Sequence, residues 1–270
     1  MYKRQKLDYP FNDIYVQTSF GRTHLVETGN LYGTPLLVFH GGNSTTAYNL
    51  LKCRFLLEEF HIYAVDTIGH PGKSDEVGLS PNNYDYGKWA GEVISSLGYR
   101  RIRCIGGSFG GGILAKLMCT CPEKVHKAVL VVPAGIGNAL PVSSAKMMMP
   151  LIAYRMTKKE KYLKKTALYM ALREEVLDED TLDIVKDSFD HVNTKIGMPS
   201  NVSKELMHKC KAPALVMAGE KDCLFPAKKV LPRAKRIIPD CKIHMLKGQG
   251  HMHSLTEREE KIIVDFLKEN

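Results

Sequence analysis

Two stretches near the start of the chain, DIYVQTSF (13–20) and RTHLVETG (22–29), alternate apolar and polar positions on either side of Gly21. That is the period of half-buried strands, and it predicts an N-terminal hairpin. The pattern then changes to short continuous apolar runs separated by longer stretches of helical period. PLLVFHGG (35–42), HIYAVDTIG (61–69), RRIRCIGG (100–107) and KAVLVVPAG (127–135) predict strands. Between them AYNLLKCRFLLEEF (47–60), YDYGKWAGEVISSLG (84–98) and FGGGILAKLMCTC (109–121) predict helices. Strands apolar on both sides belong to a parallel sheet, and right-handed crossovers place the helices on its two faces.

After the sixth strand the alternation stops. From about Ile136 to Cys210 the sequence is helical in character, and it predicts a helical cap (136–210) lying over the strand ends. Met147, Met148, Met149, Met156 and Met170 give this segment soft apolar surface, suited equally to an adaptable acyl pocket and to packing between cap helices. Sheet logic resumes with PALVMAGEKD (213–222), a helix around Ala227–Arg236, CKIHMLKGQG (241–250) and a final amphipathic helix EREEKIIVDFLKE (257–269). The expected organisation is a core built from 1–135 and 211–270, interrupted by the cap.

Composition narrows the class. At 270 residues with 44% hydrophobic and 25% charged positions, the chain is an ordinary globular protein whose single core can still be filled. MYKRQKLDYPFNDIYV carries no apolar run of signal-peptide length, and AVLVVPAGI (128–136) is broken by Pro133 and too short to span a bilayer. A cytoplasmic protein without a membrane partner is expected. Its seven cysteines are odd in number and scattered, so reduced thiols are expected. Cys119 and Cys121 form a C-x-C pair near Cys104, but no second Cys/His pair stands at ligand spacing. Packing thiols, no metal and no cofactor are the reading.

The formal net charge of +9 raises nucleic acid as a partner. The densest basic run, RMTKKEKYLKK (155–165), spreads its lysines over more than one side of a helix and lacks interleaved stacking aromatics. A solvated helix face is expected, not a phosphate track, although the charge favours anionic substrates.

Residues 104–112 read CIGGSFGGG, with five glycines around one serine between a predicted strand and a predicted helix. A phosphate-binding loop needs a lysine that is not there. Gly110, Gly112 and Ala115 satisfy G-x-G-x-x-A, but the next strand does not end in the acidic residue a dinucleotide site requires. Gly106-Gly107-Ser108-Phe109-Gly110 matches G-x-S-x-G, the turn that holds a nucleophilic serine in strained backbone while glycines remove clashing Cβ atoms.

A serine hydroxyl needs a base, and the base needs an orienting group. Asp222 ends the strand in AGEKD, and His251 follows the last strand in GQGHMH. With Ser108 they stand at the carboxyl ends of parallel strands, where an open α/β sheet places its site. Glu220 is the rival acid but still lies in the turn leaving its strand. His253 is the rival base, and the Gly248-Gln249-Gly250 turn favours His251. The oxyanion donors expected are the backbone N–H groups of Phe109 and of Gly42 in the loop HGGNS (40–44). His40, Gly41 and Asn43 complete that loop, with His40 as a hydrogen-bonded support.

These motifs, with Asp66-Thr67-Ile68-Gly69-His70-Pro71-Gly72-Lys73-Ser74, make the chain resemble the α/β-hydrolase superfamily over nearly its whole length. The resemblance implies an eight-stranded, mostly parallel sheet with helices on both faces, a helical cap after the sixth strand and a Ser-His-Asp triad. One departure is Pro71, an extra residue in the family's D-x-x-G-x-G-x-S loop. GGSFGG and the cap look like small carboxylesterases, with similarity also to proline iminopeptidases and carbon–carbon bond hydrolases. A serine nucleophile argues against haloalkane dehalogenases and epoxide hydrolases. The expectation is a cofactor-free serine esterase acting on a small-molecule ester, as a monomer or homodimer. A slow-turnover ligand sensor of the same fold, an aminopeptidase or amidase, and a carbon–carbon bond hydrolase stand as alternatives.

Overall fold

The computed structural model describes residues 6–138, 145–192 and 197–269. Eight strands form one sheet: β1 (Phe11–Thr18), β2 (Gly21–Gly29), β3 (Thr34–Phe39), β4 (Phe60–Val65), β5 (Ile102–Gly107), β6 (Val125–Val131), β7 (Ala214–Gly219) and β8 (Cys241–Leu246). Their spatial order is β1-β2-β4-β3-β5-β6-β7-β8. β1 and β2 form the expected hairpin, and β2 runs antiparallel to β4. All other neighbours are parallel, with Phe39 opposite Val65 and Gly106, and Val131 opposite Met217.

The continuous apolar runs have a direct structural meaning. Successive side chains point to opposite faces of a strand, and both faces here are covered. In β3, Leu37 and Phe39 join one buried cluster with Tyr86, Trp89 and Ile113, while Leu36 and Val38 join the other with Phe60, Ile263 and Phe266. The first face is covered by α2 (Asp85–Ser96), α3 (Phe109–Thr120) and α8 (Ala227–Ile237); the second by α1 (Thr46–Lys52) and α9 (Glu257–Lys268). Thr256 and Glu259 close a reciprocal cap on α9, which fixes where that helix starts.

The helix expected over 47–60 is a correction. It stops at Lys52, where the Cys53 amide bonds to the carbonyls of both Asn49 and Leu50, and a 3₁₀ turn follows at Arg54–Leu56. Phe60 fits the helical spacing, yet it pairs with Thr34 as the first residue of β4. Long-range strand pairing overrides local periodicity there.

Between β6 and β7 lie α4 (Ala145–Thr157), α5 (Glu160–Ala171), α6 (Glu179–His191) and the single turn α7 (Lys204–Met207). Residues 139–144 and 193–196 of the expected cap fall outside the described residues. Two loops of the core contact these helices. The Met252 amide donates to Met170 O at 3.2 Å, and Ser188 Oγ donates to Asn43 O. The methionines divide: Met147 and Met170 are half-buried, whereas Met148, Met149 and Met156 are exposed. Neither shared expectation for them, an acyl pocket or packing between helices, describes these three.

All seven cysteines are free thiols. Among the described residues no helix is long and apolar enough to cross a membrane.

Candidate active site

Ser108 stands between β5 and α3 at φ 51° and ψ −115°, a region that side-chain-bearing residues rarely occupy. Its amide donates to Val131 O at 3.0 Å, and its carbonyl accepts the amides of Gly112 and Ala134. These three bonds hold the turn in its costly conformation. The turn also closes only around glycine. A Cβ on Gly106 would lie 2.5 Å from Gly110 O, and one on Gly110 would lie 2.5 Å from Phe39 O.

The raised serine meets a base. Ser108 Oγ is 3.0 Å from His251 Nε2, and His251 Nδ1 is 2.9 Å from Asp222 Oδ2. With Nδ1–H donating to the carboxylate, Nε2 keeps its lone pair for the serine hydroxyl. The other carboxylate oxygen, Oδ1, accepts the amides of Leu224 at 2.7 Å and Phe225 at 2.9 Å. Burial opposes ionisation of Asp222. His251 and those two amides outweigh burial and hold the carboxyl below the ordinary range, so the anion persists beside the imidazole.

The rivals stand elsewhere. Glu220 is exposed and accepts the Gly248 amide at 2.8 Å, bracing the turn that precedes His251. His253 donates Nδ1–H to His251 O at 3.0 Å.

Gly42 and Phe109 come together as expected: a Cβ on Gly42 would lie 3.2 Å from Phe109 Cβ. Phe109 is the first residue of α3, so its N–H has no partner inside the helix and is available to an oxygen. His40 is almost fully buried, donating Nδ1–H to Gly41 O at 2.7 Å and accepting the Thr67 amide on Nε2 at 3.0 Å. Desolvation pulls its pKa down against the attraction of Asp66, which suits a neutral support. Asn43 takes a left-handed φ of 53°, and its carbonyl accepts Ser188 Oγ from α6.

Two features were not singled out by sequence reasoning. The His70 ring lies 4.5 Å from the Phe109 ring, and its Nδ1 faces the Asn43 amide at 3.4 Å. One buried imidazole thereby touches both Phe109 and the 40–44 loop. Burial, then the neighbouring His40, pushes its pKa down to about 3, leaving the neutral form able to accept. The second is Asp66, whose carboxylate accepts Thr46 Oγ1 at 2.5 Å, His24 Nδ1–H at 2.7 Å and the Lys73 amide at 2.9 Å. His24 in turn reaches Asp13 at 2.7 Å. This network straps the 66–74 segment despite its extra Pro71, and Gly69 N still closes on Asp75 O at 3.1 Å. The signal for both lay in the D-x-x-G motif, where His70 and Asp66 were visible as residues but their partners were not.

Known proteins share this arrangement of elements. A carboxylesterase of Bacillus subtilis (strain 168), YbfK, is 26% identical over 264 residues, covering 94% of this chain and 86% of its own. The crystal structure of naproxen esterase (carboxylesterase NP) from Bacillus subtilis superposes with a TM-score of 0.83 at 23% identity, over 98% of this chain and 95% of that one. A 2-hydroxy-6-oxo-6-phenylhexa-2,4-dienoate hydrolase from Rhodococcus sp. strain RHA1 superposes at 0.76 with 19% identity, over 97% of this chain and all of the other. These structural likenesses establish the α/β-hydrolase fold. The family model described as serine aminopeptidase, S33, matches residues 34–259, from β3 through the His251 loop into α9, and the chain belongs to that family.

Proposed function

We propose that the protein is a serine hydrolase that cleaves carboxylic esters, with Ser108, His251 and Asp222 as its triad. The observation that carries this reading is the unbroken line from Ser108 Oγ through His251 to Asp222, at 3.0 and 2.9 Å, beginning at a strained serine. The ester class is supported by two carboxylesterase relatives, each similar along most of both chains.

In this mechanism His251 Nε2 takes the Ser108 proton as Oγ bonds to the acyl carbon. The negative charge that develops on the carbonyl oxygen is met by the N–H groups of Gly42 and Phe109. The C–O bond to the alcohol breaks as His251 returns the proton to the leaving oxygen, and the acyl group remains on Ser108. Water then gives a proton to His251, attacks the acyl carbon, and releases the carboxylic acid as Ser108 is reprotonated. Asp222 keeps Nδ1 protonated throughout. The helices α4 to α6 act as a cap that bounds the acyl site from above, a role supported by their contacts to the loops of Asn43 and His251.

The family description also names an aminopeptidase activity, so the test compares bond types. Specificity constants are measured for p-nitrophenyl esters from acetate to laurate and for aminoacyl p-nitroanilides. Ester constants above every anilide are expected. Anilides turned over faster than all esters would make the protein an aminopeptidase, and no multiple turnover on either series would favour a ligand sensor.

A further inference from the structure

The solvent face of α4 is apolar. Met148, Met149, Ile152 and Met156 are 42%, 72%, 53% and 81% exposed, and at helical spacing they fall within an arc of about 100°. The opposite side of the helix is buried in the ordinary way. Leu151 and Tyr154 pack inward, and Tyr154 OH donates to Asp190 on α6 at 2.8 Å. A helix with one face in the core and four large apolar side chains in water has a second partner to meet.

Charge says which kind. From Lys146 to Lys165 the chain carries seven cations, Lys146, Arg155, Lys158, Lys159, Lys161, Lys164 and Lys165, against one acid, Glu160. All seven are exposed. Lys158 is paired with Asp190 and Lys164 with Glu174. The acids of the helical segment other than Glu160 come later in the chain, at Glu174, Glu175 and Asp178 and then along α6 and α7, and of these Asp178 is engaged by Lys52 and Asp190 by Lys158 and Lys186.

We propose that the α4 face, with the lysines that follow it, docks the protein onto an anionic lipid bilayer. An apolar stripe bordered by lysines and arginines is the pattern of a helix that lies in the membrane interface, its apolar side chains in the acyl boundary and its cations among acidic headgroups. A second copy of this chain would bring two strongly basic faces together, which charge opposes. Nucleic acid would engage the lysines but leave the methionines and Ile152 in water. The expectation of no membrane partner rested on the lack of a spanning segment and does not bear on a peripheral surface.

The test is co-sedimentation of the whole protein with vesicles of phosphatidylcholine alone or mixed with phosphatidylglycerol, at low and high salt. Binding to the anionic vesicles that weakens with salt is expected. Lys159→Glu/Lys161→Glu/Lys165→Glu should weaken partition about a hundredfold. Met149→Gln/Ile152→Gln/Met156→Gln should weaken it at least about tenfold. Circular dichroism and turnover of soluble p-nitrophenyl acetate, both unchanged, would show that the variants are folded. Wild-type protein left in the supernatant with anionic vesicles overturns the proposal. So does binding that ignores the apolar replacements, or a wild-type dimer in light scattering that those replacements convert to monomer. Vesicle binding is read by sedimentation and not by ester turnover, so failure of the hydrolase reading would not be mistaken for failure of this one.

Discussion

His251 Nδ1 and Asp222 Oδ2 lie 2.9 Å apart with both side chains almost wholly buried, and the second carboxylate oxygen is held by two backbone amides. In the proposed mechanism a carboxylate fixed this way selects one imidazole tautomer and stabilises the imidazolium that forms on proton transfer. Asp222→Asn preserves shape but presents a donor to Nδ1, so kcat on the best ester should fall by about ten-thousandfold. Glu220→Gln, away from the imidazole, should fall little. Steady-state kinetics on the two variants decide it, and equal losses would contradict the assignment.

The Asp66 network makes a prediction about acid. Burial raises the cost of charging Asp66, but hydrogen bonds from His24, Thr46 and the Lys73 amide more than compensate and depress its folded pKa. A depressed carboxyl contributes stability that is complete above the unfolded value of about 3.9 and lost as pH falls through the folded value. Urea unfolding at a series of pH values should show stability falling below that point. Asp66→Asn should be less stable at neutral pH and show a shallower acid loss; a slope identical to wild type would remove Asp66 from the account.

His70 is predicted to act on rate more than on binding. His70→Phe keeps a ring against Phe109 but removes the acceptor facing the Asn43 amide. The expected cost is about 1 kcal/mol in kcat, the worth of one hydrogen bond, with KM nearly unchanged. A raised KM at constant kcat would place His70 in substrate binding instead.

Two adjacent glycines should behave differently. Gly106→Ala drives a Cβ to 2.5 Å from the Gly110 carbonyl oxygen, whereas at Gly107 the nearest atom is 3.9 Å away. Loss of about 3 kcal/mol is expected for the first, with far less for the second. Thermal melts of both variants compare them directly, and equal stability would mean the elbow is looser than its geometry implies.

The strand rhythm, the glycine elbow and the positions of Asp222 and His251 were legible because each depends on local pattern. Apolar runs report burial on two faces, and G-x-S-x-G reports a turn that few other residues can form. What escaped was set by distant partners. Phe60 joined a strand because Thr34 lay beside it, and His70 gained meaning only once Phe109 and Asn43 were folded against it. The methionines of α4 carry the same apolar signal whether they face a core or water, so their exposure could not be read from sequence.

The most direct test of the central claim is intact-mass detection of a fluorophosphonate adduct on wild type and Ser108→Ala, run beside turnover of p-nitrophenyl esters. One adduct per wild-type chain, mapped to Ser108, with rapid multiple turnover and neither in the variant, is the predicted result. Labelling or turnover that persists in Ser108→Ala would contradict it.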